Sequence, residues 1–162
     1  MAIITLNNNS LSSVTALPAG VGGKVLQVVS FNASGSTSTT STSFVNSNLT
    51  TSITPTSSSN KILINFTASI YSGSQGTYSA RYSIFRGDVS GTNLGNATTG
   101  FLNVYNGAAS GISCFGGGSY LDSPNTTSST TYTVGLRSEG NNAPAIINGE
   151  GVATITLMEI EA

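Results

Sequence analysis

Apolar positions fall in short runs along this chain, and most runs alternate. "NKILINFTASIY" (60–71) has the clearest period, with Ile62, Ile64, Phe66, Ala68 and Ile70 on one face. Lys61, Asn65, Thr67 and Ser69 take the other face, interrupted by Leu63. Strict alternation predicts a strand with one face in a core. "TYSARYSIFRG" (77–87) repeats the pattern through Tyr78, Ala80, Tyr82 and Ile84. The turn-rich "SGSQG" between these two runs predicts a hairpin. "TTYTVGLRSEG" (130–140) places Tyr132, Val134 and Leu136 together.

Two stretches do not alternate. "GKVLQVVSF" (23–31) and the closing "ATITLMEIEA" (153–162) carry apolar residues on both faces. A strand covered on one side only should alternate, so both read as strands covered twice. Ile155 and Leu157 share one face of the last strand, and Met158 and Ile160 the other. Glu159 and Glu161 read as residues that end this strand at a solvated rim. Further short strands are expected at 43–46, 49–55, 99–107 and 110–124, and a short strand or loop edge at 143–149. "NASGSTSTTSTS" (32–43) reads as a surface loop. No segment shows helical periodicity, so the expected fold is an all-β sandwich or jelly roll of about eight strands.

Residues 1–20 have apolar side chains without a clean period: Ile3, Ile4, Leu6, Leu11, Val14 and Leu17. They read as an N-terminal docking arm, which covers its own domain or docks on a neighbour, ahead of a β-sandwich domain over 21–162. The start lacks the basic and apolar regions of a signal peptide. No run approaches the roughly 20 apolar residues of a membrane span.

Composition narrows the chemistry. The chain has 162 residues with a net charge of −1, and charged residues make up 7%, against about 25% in ordinary globular proteins. A nucleic-acid partner would need a basic stripe, and Lys24, Lys61, Arg81, Arg86 and Arg137 are scattered. Few charges also mean weak repulsion between copies packed side by side. There is no histidine, which removes Ser-His-Asp and Cys-His nucleophile systems and the usual zinc ligand sets. Cys114 has no second cysteine and reads as a small buried apolar residue. Asp88 and Asp122 read as turn residues, and Glu139 and Glu150 as loop residues. "RGD" (86–88) reads as a strand end followed by a turn, not as an adhesion motif. Tyr71, Tyr105 and Tyr120 near strand ends are free to stack on a sugar. No catalytic residue, cofactor site or metal site is expected.

Several blocks resemble a family of small tailed-phage virion proteins of the marine and cyanophage type. They are "ALPAGVGGKVLQVVSF" (16–31), "TSFVNSNLTTSITPTSSSNKILINF" (42–66), "YSIFRG" (82–87), "YLDSPNTTSSTTYTVGLRS" (120–138) and "ITLMEIEA" (155–162). The loops at 72–81 and 88–119 match poorly. The resemblance implies a C1q/TNF-like trimeric jelly roll whose first and last strands pair at the middle of an inner sheet. Val25, Gln27, Val29, Ile155, Leu157, Met158 and Ile160 are then the candidates for the inner sheet or the trimer interface. The arm residues Ile3, Ile4, Leu6, Leu11, Val14 and Leu17 become candidates for docking on the virion. The expected role is a non-enzymatic homotrimeric knob on the outer surface of the virion, made in the host cytoplasm. A capsid decoration (cement) protein seated on the major capsid protein is the first reading, because the β domain starts so soon after Met1. The alternative is a tail-fibre or spike knob that binds a host-surface glycan or receptor. A glycan-active enzyme is disfavoured. No nucleic-acid or membrane partner is implied.

Overall fold

The computed structural model describes residues 24–73, 78–107, 110–140 and 143–162. Its strands are β1 (Val25–Ala33), β2 (Thr37–Thr39), β3 (Val45–Ile53), β4 (Lys61–Ser72), β5 (Tyr78–Arg86), β6 (Thr92–Asn93), β7 (Leu102–Asn106), β8 (Ile112–Asp122), β9 (Thr130–Ser138), β10 (Ala145–Ile147) and β11 (Ala153–Ile160). They form two antiparallel sheets packed as a β-sandwich.

The first sheet has the order β1-β11-β4-β10-β2, with β8 on the other side of β4. β11 takes β4 from Lys61 to Thr67 and β10 takes it from Ile70 to Ser72, so these two short strands share one row. β1 and β2 share the next row in the same way. The second sheet has the order β3-β9-β5-β6, with β7 also on β5. The pairings are nested in sequence: β1 with β11, β3 with β9, β4 with β8, and β5 with β6 and β7.

Alternation decides what each sheet buries. Ile62, Ile64, Phe66, Ala68 and Ile70 of β4 pack against Ala80, Tyr82 and Ile84 of β5 and Tyr132, Val134 and Leu136 of β9. Burying such side chains is worth roughly 1.5–3 kcal/mol each for the larger ones. Facing residues must be small where large rings lie flat. A Cβ on Gly118 of β8 would stand 2.8 Å from the Phe66 ring, and one on Gly135 of β9 would stand 2.7 Å from the Phe85 ring.

Several expectations are corrected. β4 and β5 are not a hairpin, because they lie in different sheets. The strands expected at 43–46 and 49–55 are one strand, β3, with an irregular register between Asn46 and Thr50. The expected loop 32–43 contains β2, which pairs with β10. First and last described strands do pair, but β1 ends its sheet among the described residues instead of sitting in the middle. The arm at 1–20 lies outside the described residues.

Candidate functional site

β11 presents two faces in strict alternation. Ala153, Ile155, Leu157 and Glu159 are buried inward, while Thr154, Thr156, Met158 and Ile160 are half-buried on the outside. Among the seven inner-sheet candidates, Ile155 and Leu157 are wholly inside the sandwich. Val29 packs on the same core. Gln27 faces Glu159. Val25, Met158 and Ile160 belong to the outer face, Val25 because a bulge between Val25 and Gln27 sets it opposite Ile160.

Glu159 is not at a solvated rim. It is 0% exposed, and its two oxygens are fully engaged. Oε2 accepts from Gln27 Nε2 at 2.6 Å. Oε1 accepts from the Thr56 backbone N–H at 2.6 Å, Thr56 Oγ1 at 2.8 Å and Asn60 Nδ2 at 2.7 Å. Burial alone would raise the carboxyl pKa, but the hydrogen bonds from Asn60, Gln27 and Thr56 outweigh it and hold the group down at about 2. This carboxylate is saturated with donors, a structural clamp between β1, β11 and the 54–60 loop, and it is not disposed to exchange protons near neutrality. Glu161 is exposed, and its backbone N–H donates to Lys24 O at 3.0 Å.

Asp122 is also corrected. It is the last residue of β8, buried at 4% exposure, instead of starting a turn. Its Oδ2 accepts from Tyr132 Oη at 2.7 Å and lies 3.0 Å from Arg86 Nε. Asp122 belongs to one sheet and Tyr132 and Arg86 to the other, so this is a polar tie across the core. Burial and the neighbouring Asp122 push the Tyr132 phenol well above its ordinary value. Tyr82 ties the opposite end of β4: its hydroxyl lies 2.6 Å from Ile146 O and 2.9 Å from Tyr71 O. Burial pushes this phenol up as well.

The "RGD" residues are accounted for locally. Arg86 pairs with Asp122. Gly87 has φ of 90° and donates its N–H to Thr131 O at 2.7 Å. Asp88 Oδ1 accepts from Ser90 Oγ and the Ser90 backbone N–H, which lowers the Asp88 pKa. Glu139 pairs with Arg81 at 2.5 Å. Arg137 sits over the Phe44 ring at 5.4 Å and donates to Thr42 O at 2.8 Å. Burial, then the adjacent Arg81, lowers its pKa.

The outer face of the first sheet is divided into zones. The registers place Val28, Met158, Leu63 and Leu121 in one line across four strands, with Val25 and Ile160 beside it. Val28 is 56% exposed and Leu121 46%. Behind this belt lie two polar lines, Ser30-Thr156-Asn65-Ser119 and Asn32-Thr154-Thr67-Gly117. Ser30 and Thr156 hydroxyls are 3.1 Å apart, and Thr154 Oγ1 donates to Asn32 Oδ1 at 2.9 Å.

At the far end of the same face is a hollow of about 190 Å³ lined by Ser69, Ile70, Tyr71, Ser113, Ile146, Gly149 and Glu150. Ser113 Oγ donates to Glu150 Oε2 at 3.2 Å. Phe115, 76% exposed, stands beside it. Cys114 is exposed on the edge strand β8, not buried as expected. Tyr105 is 61% exposed and Tyr120 packs edge-on against Phe101.

Among the described residues no three of His, Cys, Asp and Glu stand together as a metal site. Among the described residues no helix is long and apolar enough to cross a membrane. Sequence reasoning missed the Glu159 clamp and the belt. Met158 and Ile160 on the second face of the last strand, and the interruption of the β4 alternation by Leu63, were its visible signals. No protein-family model matches the chain, and no curated protein matches it.

Proposed function

We propose that this chain is a non-enzymatic structural protein of a bacteriophage virion, a jelly-roll knob that works as a homotrimer on the outer surface. The nested pairing supports the jelly-roll reading. Taking the eight rows in chain order, the first pairs with the eighth, the second with the seventh, the third with the sixth and the fourth with the fifth. That is the order of a long hairpin folded over into two four-row sheets.

The observation that carries the multi-copy reading is the two-faced β11. Its inner face is consumed by the core and its outer face still offers Met158 and Ile160. The carboxylates described above hold strand ends, loops and the inter-sheet gap, which supports a structural part over a hydrolase. Capsid decoration, with the major capsid protein as partner, is the preferred location, and the apolar residues Ile3 to Leu17 are the candidate docking arm.

A fibre or spike knob is the second reading. The hollow at Tyr71, Ser113 and Glu150 beside the exposed Phe115 favours it, because an aromatic platform with a few fixed polar groups suits a host-surface sugar. A cryo-electron microscopy reconstruction of the virions made by a phage that encodes this chain tests both. Threefold density over capsomers supports decoration, density at the tail supports the knob, and a virion without the chain overturns the proposal.

A further inference from the structure

We infer that the hollow between β4, β8 and the turn at 148–151 is a subsite for one uncharged sugar ring, and that it turns acidic sugars away. This rests on the second reading above, a knob that meets a host-surface sugar, and it names the chemistry of that sugar.

The wall of the hollow is held in place by Ser69 of β4. The Asn148 N–H donates to Ser69 O at 2.7 Å, and the Glu150 N–H donates to Ser69 Oγ at 3.0 Å. Asn148 has φ of 59°, and its buried amide donates to Ala33 O at 3.0 Å and Gly35 O at 2.9 Å. The turn is therefore pinned at Asn148 and again at Glu150. Ser113 Oγ then donates to Glu150 Oε2 and orients the carboxylate. A polar group fixed before its ligand arrives loses less entropy on binding.

Size limits the occupant. About 190 Å³ is well below the roughly 300–1,000 Å³ of pockets that enclose drug-sized molecules. The hollow admits one ring and leaves the rest of a longer ligand outside. Ile146, Tyr71 and Ser113 form one line across β10, β4 and β8, with Ser69 and Phe115 paired in a line beside it. Phe115 is 76% exposed and leans on the turn, since a Cβ at Gly151 would stand 3.5 Å from its ring. An aromatic surface thus borders a hollow with a carboxylate in its wall. A pyranose is divided in the same way, with C–H groups on its faces and hydroxyls around its edge, and this pairing of surfaces matches it.

Charge selects among sugars. Glu150 has no basic partner among the described residues, where Arg81 and Arg86 pair with Glu139 and Asp122. No lining residue is basic. A carboxylate only accepts hydrogen bonds, and Ser113 fills one of several acceptor sites on Glu150. Sugar hydroxyls donate to the others, in bonds that the negative charge strengthens. A uronic or sialic acid brings a second negative charge to Glu150 and meets no cation in return.

The hollow also stays clear of the apolar belt. Ser69 and Tyr71 lie six and eight residues along β4 from Leu63, on the order of 20–25 Å. Copies that meet through Met158 and Ile160 can therefore leave it open.

The test uses the full chain on an array of neutral, amino and acidic glycans, followed by titration with the methyl glycosides of glucose, galactose, mannose, glucosamine and glucuronic acid, read by ligand-observed NMR. A neutral methyl hexoside is expected to bind with a Kd on the order of 1–10 mM, and the glucuronide at least about tenfold more weakly. Glu150→Gln should weaken the neutral sugar and remove the discrimination against the glucuronide. Phe115→Ala should weaken the neutral sugar and keep the discrimination. Circular dichroism checks the fold of both variants, and Glu161→Gln, an exposed carboxylate outside the hollow, is the control that changes neither. Neutral-sugar binding that both variants leave intact, or binding confined to acidic or amino sugars, overturns the subsite and leaves the sugar-binding reading standing. A full chain that binds no glycan overturns both.

Discussion

Gln27 and Glu159 face each other across β1 and β11, and the Gln27 amide donates to the Glu159 carboxylate at 2.6 Å inside the sandwich. The bond closes the first described strand onto the last. It has a consequence for acid stability. The carboxyl pKa is depressed from an ordinary 4.5 to about 2. The stabilisation is therefore complete above about pH 4.5 and fades as pH falls toward 2, because in that window the unfolded chain binds a proton that the folded state does not. Urea midpoints measured from pH 6 to about pH 2 should fall in the acid range for the parent chain. Glu159→Gln should be less stable at neutrality by about 1–3 kcal/mol, and that gap should narrow as the medium becomes acidic. A gap independent of pH would mean that the charge on Glu159 is not what holds the clamp.

The tie between sheets makes a second expectation. Tyr132→Phe removes the 2.7 Å hydrogen bond to a buried Asp122 and leaves Arg86 as its remaining partner. Loss of about 1–3 kcal/mol is expected, because the carboxylate oxygen stays buried without the phenol donor. Tyr132→Phe in an Asp122→Asn background should cost less, and a double-mutant cycle on urea midpoints measures the coupling.

Adjacent residues of β11 should behave oppositely. Leu157 is fully buried in the core and Met158 lies half-buried outside it. Leu157→Asp buries an unpaired charge and costs several kcal/mol, enough to abolish folding. Met158→Asp should leave the domain folded, and on the proposed multi-copy reading it should lower the mass of the assembly. Circular dichroism and light scattering on the two variants distinguish these outcomes. A folded Leu157→Asp chain would contradict the strand's orientation.

Crowding at glycine gives a fourth expectation. A Cβ at position 118 meets the Phe66 ring at 2.8 Å. Gly118→Val should therefore lower stability by about 1–3 kcal/mol despite the high strand preference of valine. The corresponding change at Gly140, where a Cβ meets nothing within 4 Å, is a test of backbone strain alone because φ there is 142°. Thermal unfolding of both variants separates ring crowding from strain.

Strands with one buried face were legible in the sequence because alternation is a local property. Ile62 to Ile70 and Tyr132 to Leu136 face the core as their spacing requires. Connections were not legible in the same way. The turn residues after β4 say that the chain reverses, and nothing in them says whether it returns within its sheet or crosses to the other. β2 was hidden because Ser and Thr fill its strand and the neighbouring loop alike.

The role of Glu159 was invisible for a different reason. Its donors stand far off in sequence, Gln27 at a separation of 132 residues, Thr56 at 103 and Asn60 at 99. A glutamate three places before the last residue looks solvated until its neighbours are known. The same applies to Asp122, whose partner Tyr132 lies across the sandwich. The belt was half legible: Met158, Ile160 and Leu63 stood out, but Val28 and Leu121 join them only through register.

The central claim is that this protein works in several copies. The measurement that reaches it most directly is the absolute mass of the purified full chain by multi-angle light scattering. A mass of three 16.4 kDa chains, stable on moderate dilution, is the predicted result. A mass of one chain at every concentration would contradict the account.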